Sequence, residues 1–420
     1  MVRRISTSLL LLSAATASMA APFATQSEAI LALRAGRTRP STNDSDINPG
    51  WDYRATLDLA MNRSTHSWEF GTCMQAILEV YNPELSVYSP KAFPNGRIPK
   101  VDASKIQALT YLRPHIQLDN DTLVEGDGAA GDPASLGVGA IMIGQTVREY
   151  SAAATRQANH LLNVVPRYYN GAISQREAIA ELWADQLSMT HPFLAYQAVA
   201  TNNLTLLRYV ALDIERQHQI LVGNMTERGV GLWTHIVGPQ SQTLGIWSTG
   251  NGWVALGIAR VLATMKHWNK SRYITLSEQQ RLRKIVYSLL GGLETAEVDT
   301  NGLYRNYLIG GADGFDIVEP PWFGEVSGTA ALASAAYRLA VLDSDVNPRS
   351  RTQKLIGLAD RARSALSDAI DSQTAIAAPA IDPLDWHSRV PYITGSPEGQ
   401  SFVSNLGAAY RDCVLAKLCK

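Results

Sequence analysis

Hydrophobic and polar positions along this chain fall into two helical patterns that take turns. In "LTLLRYVALDIERQHQIL" from Leu204, "LSEQQRLRKIVYSLL" from Leu276 and "TQKLIGLADRARSALSDAI" from Thr352, charges keep to one face. That spacing predicts amphipathic helices wet on one side only. In "PASLGVGAIMIGQTV" from Pro133, "NGWVALGIARVLATM" from Asn251 and "SGTAALASAAYRLAV" from Ser327, almost no charge appears around the circumference, and Gly and Ala are frequent. Such helices are buried all round, and their small residues let backbones approach. Period-two alternation bounded by turn residues is scarce. An outer amphipathic layer around an inner apolar one predicts helical hairpins. About a dozen helices of ~12 residues fit between residues 50 and 412. Six hairpins closed into a ring make an all-α (α/α)6 barrel with a central funnel. No fixed period favours an open superhelix of repeats.

Composition narrows the class. The chain has 420 residues, 46% hydrophobic and 18% charged, enough for a large core, and its formal net charge of −1 suits neither a nucleic acid nor a membrane surface. The uncharged runs, such as "LGVGAIMIG", are far shorter than the ~20 residues a membrane span needs. Residues 1–20 combine a basic start, an apolar centre at Leu9–Leu12 and small residues before Ala20, which predicts a secretory signal and an extracellular location. Residues 21–50 read as an extended lead-in, and residues 51–420 as a single barrel. N-x-S/T sites stand at Asn43, Asn62, Asn120, Asn203, Asn224 and Asn269 and fit an exported glycoprotein. Three cysteines allow at most one bridge, with Cys413 and Cys419 the candidate pair and Cys73 a buried hydrophobe.

Candidate chemistry centres on acids. Asp185 in "WADQLSM" shares a helical stripe with Ala178, Leu182 and Met189, so its carboxylate points where apolar side chains point. Glu181, four residues earlier, would be its like-charged neighbour, and such pairs raise one pKa and make a general acid. The plainer alternatives are an Asp185 bonded to a neighbouring helix end and a solvated Glu181. Asp132 in "GDPASLGVG" has the form of an N-cap before Pro133. In "GLWTHIVGPQSQTLGIWSTGNGW", Trp233, His235 and Trp247 are expected on connections at one rim, where aromatic faces suit sugar rings. A structural His and a plain turn are the alternatives there. Neither HExxH nor paired-Cys spacing occurs, so no metal site and no cofactor are predicted.

The segments "GDPASLGVGAIMIGQTV", "ELWADQLSMTHPFLAY", "WSTGNGW", "EVSGTAALASAAYRLA" and "SPEGQSF" resemble, in order and setting, those of secreted fungal relatives of the unsaturated rhamnogalacturonyl hydrolases. These form glycoside hydrolase family 105, close to the unsaturated glucuronyl hydrolases of family 88. The resemblance runs from about residue 50 to the C-terminus and implies an (α/α)6 barrel. It also implies removal of a 4,5-unsaturated uronic acid from lyase-generated pectic oligosaccharides. An acid protonates C4, water adds at C5, and the hemiketal collapses to release the aglycone, with no metal required. On this resemblance Asp185 is the acid/base, Asp132 a second acid at the sugar, His235 a substrate-binding His and Trp247 a stacking Trp.

Two positions depart from the pattern. Gln175 in "GAISQR" stands where many relatives carry His, and Thr249 stands where bacterial members often carry an Arg suited to the substrate carboxylate. Arg176 is the candidate to supply that charge instead. Two other functions compete: an ordinary inverting glycosidase with Asp185 as acid and Asp132 as base, and a carbohydrate-binding relative without catalysis. The oligomeric state is not legible.

Overall fold

The computed structural model describes residues 47–223, 229–314 and 318–420. The expected signal, the lead-in up to residue 46, and the sites at Asn43 and Asn224 lie outside the described residues. Among the described residues, twelve helices form six hairpins, and a single further turn stands at Gly131–Ala134. The outer members are α1 (Tyr53–Arg63), α3 (Gln107–Leu112), α5 (Arg148–Asn163), α7 (Leu204–Leu221), α9 (Leu276–Gly292) and α11 (Arg349–Asp368). The inner members are α2 (Ser67–Tyr81), α4 (Gly137–Gly144), α6 (Gln186–Ala200), α8 (Ser248–His267), α10 (Val326–Leu342) and α12 (Pro397–Leu415). Each inner helix packs on the next, and α12 packs back on α2, so the ring closes. This is the (α/α)6 barrel that the two alternating patterns predict.

The two kinds of helix divide as expected. All but one residue of α6 are buried, whereas α7 buries only a stripe built on Leu207, Val210, Ala211, Ile214 and Leu221. Small residues set the ring's diameter: a Cβ on Gly257 would lie 2.1 Å from the Leu187 carbonyl oxygen, and one on Gly407 would lie 2.4 Å from the Tyr53 ring. The run from Pro133 is not one helix; it breaks into a single turn, Gly131–Ala134, and then α4. Extended pairing among the described residues is confined to Leu182–Trp183 (β1) against Ile236–Val237 (β2), antiparallel, and scattered single bridges. No described helix is long and apolar enough to cross a membrane.

Because every hairpin runs outer to inner, all six inner helices point the same way, and their N-termini gather at one rim. Deeper in the barrel, buried polar groups cross-link the ring. Arg338 of α10 pairs with Glu79 of α2 at 2.7 Å and with Asp412 of α12. Gln75 Nε2 donates to Glu79 at 2.6 Å, and Arg411 donates to the carbonyls of Glu79 and Val80. Pro192 lies inside α6 and has no N–H for the Ser188 carbonyl. That carbonyl accepts instead from Arg260 of α8 at 3.1 Å, and Arg260 also donates to Gln75 of α2. Cys413 and Cys419 are disulfide-bonded, and Cys73 is a buried free thiol pushed up to about 12 by burial. Asn62, Asn120, Asn203 and Asn269 are all exposed.

Removing one member of a buried charge set strands the other. Arg338→Met is expected to cost about 3–5 kcal/mol in urea unfolding, because the buried Glu79 loses its cationic partner. The double variant Arg338→Met, Glu79→Gln should recover a large part of that loss.

Candidate active site

The N-terminal rim of the inner ring encloses a cavity of about 370 Å³, lined among others by Trp68, Trp183, Trp386, Asp132, Arg176 and Asp185. A larger depression of about 1100 Å³ lies at the other end, near the last turns of the inner helices. Two of its cations are already engaged, Lys266 by Asp345 and Arg338 by Glu79 and Asp412. The smaller cavity sets three indole faces against the carboxyls of Asp132, Asp185 and Glu398, with the Arg176 guanidinium beside them.

Asp185 reaches this cavity by a different route from the one its spacing suggests. Residues 182–183 are extended and pair with Ile236–Val237, and the Ala184 N–H donates to the His235 carbonyl at 2.9 Å. The helix begins only at Gln186, so Ala178 and Leu182 share no helical face with Asp185. Of that expected stripe only Met189 is helical, and it too lines the cavity. Asp185 occupies the cap position of α6 with helical backbone angles and makes no capping bond. Its Oδ2 is buried without a hydrogen-bond partner and sits 3.2 Å from His235 Nε2, within ion-pair reach but without hydrogen-bond alignment.

Glu181 is neither a partner acid nor solvated. It is fully buried and accepts from Trp183 Nε1 and from the N–H groups of Gln240 and Ser241, each at 2.7 Å. These bonds fasten the 238–241 turn to β1, and ladder pairing rather than helix places Glu181 there. The acid next to Asp185 is Asp132. It does not cap the turn that holds Pro133; its Oδ1 accepts from Gln175 Nε2 at 2.8 Å. Burial pushes the Asp132 carboxyl up to about 7, with the nearby Asp185 charge adding to the rise against the Gln175 bond and Arg176.

Gln175 is held by its backbone, its carbonyl accepting from Ala130 N–H and its N–H donating to Glu181. Its Oε1 is buried without a partner. A Cβ on Gly131 would meet that oxygen at 2.2 Å, so any side chain there would have to displace the amide that bonds Asp132. Arg176 lies over the Trp183 ring, 5.4 Å from its centroid, and faces the cavity.

Three expected contact residues lie one layer deeper. His235 is 1% exposed and sits among Trp247, Trp386 and Trp183, with ring centroids 4.3, 5.2 and 5.8 Å away. It backs Asp185 rather than lining the cavity. Trp247 is 1% exposed, lies tilted against the His235 ring and donates from Nε1 to Asn306 at 2.8 Å, so it is buried away from the cavity. Trp233 is equally buried. Thr249 is fully buried and donates to Glu325 at 3.0 Å, which removes it from any substrate contact. The aromatic walls are instead Trp68, Trp183 and Trp386. Glu398, 2% exposed, also lines the cavity. Trp183 and Glu398 stand inside the segments "ELWADQLSM" and "SPEGQSF", whereas Trp68 and Trp386 carry no local signal. No group of three or more His, Cys, Asp or Glu side chains among the described residues is arranged to hold a metal ion.

A family model described as Glycosyl Hydrolase Family 88 matches residues 141–308, the stretch that carries Gln175, Arg176, Asp185 and His235. No curated protein sequence matches the chain. In fold the chain is similar to a possible member of family 105 from Klebsiella pneumoniae, at 16% identity over 90% of this chain and 95% of that one, with a TM-score of 0.63. An unsaturated glucuronyl hydrolase specific for heparin superposes at 14% identity over 88% and 97%, with a TM-score of 0.59. An α-1,6-mannanase from Salegentibacter superposes at 11% identity over 86% and 98%, with a TM-score of 0.57. The family match and the fold bear out the resemblance to the six-hairpin glycosidases of families 88 and 105, and they support a glycoside hydrolase.

The raised Asp132 pKa has a consequence for stability. The folded state holds this proton between the ordinary carboxyl range and about 7, while the unfolded chain has lost it. Stability contributed by that proton is therefore full at acid pH and declines as pH rises through about 7. The decline should amount to about 2–4 kcal/mol, reduced by the part of Asp132 that opens on the cavity. Asp132→Asn should flatten it, as read by urea unfolding at acid and alkaline pH.

Proposed function

We propose that the chain is a secreted glycoside hydrolase that removes a 4,5-unsaturated uronic acid from the non-reducing end of lyase-generated, rhamnogalacturonan-type oligosaccharides. The observation that carries this reading is Asp185 Oδ2, sheltered and unbonded, beside a second carboxyl that keeps its proton, at the wall of a cavity with one guanidinium. In this mechanism Asp185 delivers a proton to C4 of the enol ether while positive charge develops at C5 and the ring oxygen. A water then adds at C5 and gives its proton back to Asp185. The C5 hemiketal opens and frees the aglycone. Arg176, laid on Trp183, is placed to pair with the uronate carboxylate, a role the buried Thr249 cannot fill. His235 steadies Asp185 from behind. The pectic aglycone rests on the sequence motifs, and export rests on residues 1–20, the Cys413–Cys419 bridge and the four exposed N-x-S/T sites.

An ordinary inverting glycosidase is the second reading, favoured by the fold's likeness to the mannanase. It needs Asp132 ionised as a base that activates water. A carboxyl held neutral up to about 7 and bonded to Gln175 is poorly suited to that task.

Unsaturated oligosaccharides from a rhamnogalacturonan lyase should lose their conjugated ultraviolet absorbance when the protein is added, and saturated ones should stay intact. Absorbance that stays unchanged with every unsaturated uronide, or cleavage of saturated chains, would overturn the proposal. Asp185→Asn should lower kcat by ~10²–10⁴. Arg176→Ala should act mainly on KM, raising it roughly 10- to 100-fold through the lost charged hydrogen bonds.

A further inference from the structure

Glu398 has no place in that mechanism, yet it lines the same cavity. It is the second residue of α12, just after Pro397, and is 2% exposed. Helices α6 and α12 stand three places apart in the six-membered inner ring, so Asp185 and Glu398 approach the cavity from opposite walls.

The groups that act on Glu398 are three carboxyls and an indole. Asp185 faces it from α6, Glu69 from α2 and Glu325 from the start of α10, while the Trp68 side chain is its hydrogen-bond donor. Glu69 and Glu325 are committed elsewhere as acceptors. Glu69 takes the N–H groups of Thr65 and His66, and Glu325 takes those of Ser327 and Gly328 together with the hydroxyls of Ser248 and Thr249. Of the cationic groups around the cavity, Arg63 of α1 donates to the Gly395 carbonyl, His66 stacks on Trp68 and lies 3.5 Å from Glu69, and Arg176 lies over the Trp183 ring, 5.4 Å from its centroid. A helix N-terminus favours negative charge by at most about 2 kcal/mol, less than burial among three acids costs. The Glu398 carboxyl is held well above the ordinary range, chiefly by burial. Its O–H is thus a hydrogen-bond donor in a wall otherwise rich in acceptors.

We propose that Glu398 is a further specificity-determining residue that touches the substrate: an uncharged carboxyl that donates to a ring hydroxyl on the edge across from the reacting C4–C5 bond. The inference rests on the uronate reading of the site. With the substrate carboxylate on Arg176 and C4–C5 at Asp185, the hydroxyl edge of the ring is the part that meets the opposite wall. Ionisation of Glu398 would turn this donor into an acceptor and set a second negative charge against an anionic sugar, so the anion is bound well only while Glu398 keeps its proton.

The test is binding, read by tryptophan fluorescence from Trp183 and Trp386 on the full chain, with D-galacturonate as the anionic probe and D-galactose as the neutral one. Wild-type affinity for galacturonate should fall at least about tenfold from pH 5 to pH 8.5. Glu398→Gln keeps an uncharged donor at every pH and should remove much of that fall. Asp132→Asn, measured alongside, separates the share that belongs to Asp132. Glu398→Ala, with fold checked by near-ultraviolet circular dichroism, should bind both sugars about tenfold more weakly at pH 5. If Glu398→Gln follows the wild-type pH curve, or Glu398→Ala binds as wild type does, the proposal is overturned even where unsaturated uronides are turned over. Wild-type protein that binds no galacturonate at any pH overturns both this inference and the uronate reading, whereas a Glu398-dependent fall without turnover upholds this inference and counts only against the reaction.

Discussion

Besides Glu181, five carboxyls among the described residues stand buried at the rim where the six inner helices begin, and the whole site follows from how each is kept there. An ion in such surroundings needs donors or must keep its proton. Glu69 and Glu325 find donors in the free N–H groups at the starts of α2 and α10, and so serve the ring as caps. Asp132 and Glu398 lack enough of them and hold protons. Asp185, at the start of α6, is left with an oxygen that finds no hydrogen-bond partner among the described residues. The barrel thus sorts identical chemical groups into structural caps, carboxyls that keep their protons and one that is left unsatisfied, by the donors each one meets.

Much of the fold was legible because burial all round leaves a plain trace: charge vanishes from a helix when no side of it meets water. The presence of Asp185 in such surroundings was legible for the same reason. Its setting was not, because β1 pairs with β2 some fifty residues away, and no local period reports a ladder between distant segments. The same blindness applies to depth. "WSTGNGW" marks a helix start at the rim, but nothing in its spacing says that Trp247 and Thr249 lie beneath the cavity wall rather than in it. Trp68 and Trp386 escaped notice because they come from the start of α2 and from the connection that precedes α12, and only the closed ring brings them together.

Gln175 shows how a departure from a family pattern can carry physical meaning. A protonated His at that place would bring a positive charge to Asp132 and draw its proton away. The Gln amide supplies a hydrogen bond without a charge, and leaves Asp132 neutral into the range near 7. The exchange leaves Arg176 as the one guanidinium among the described residues that line the cavity.

Pro192 gives α6 an unusual dependence on its neighbours. The carbonyl that the proline leaves open lies only three residues beyond Asp185, and Arg260 takes it up while also holding Gln75. One side chain therefore keys three staves of the barrel together just beneath the reactive acid. Rotation of α6 about its own axis would break that key, so the direction in which Asp185 points is set by a lock outside the cavity, which changes in the cavity walls leave untouched.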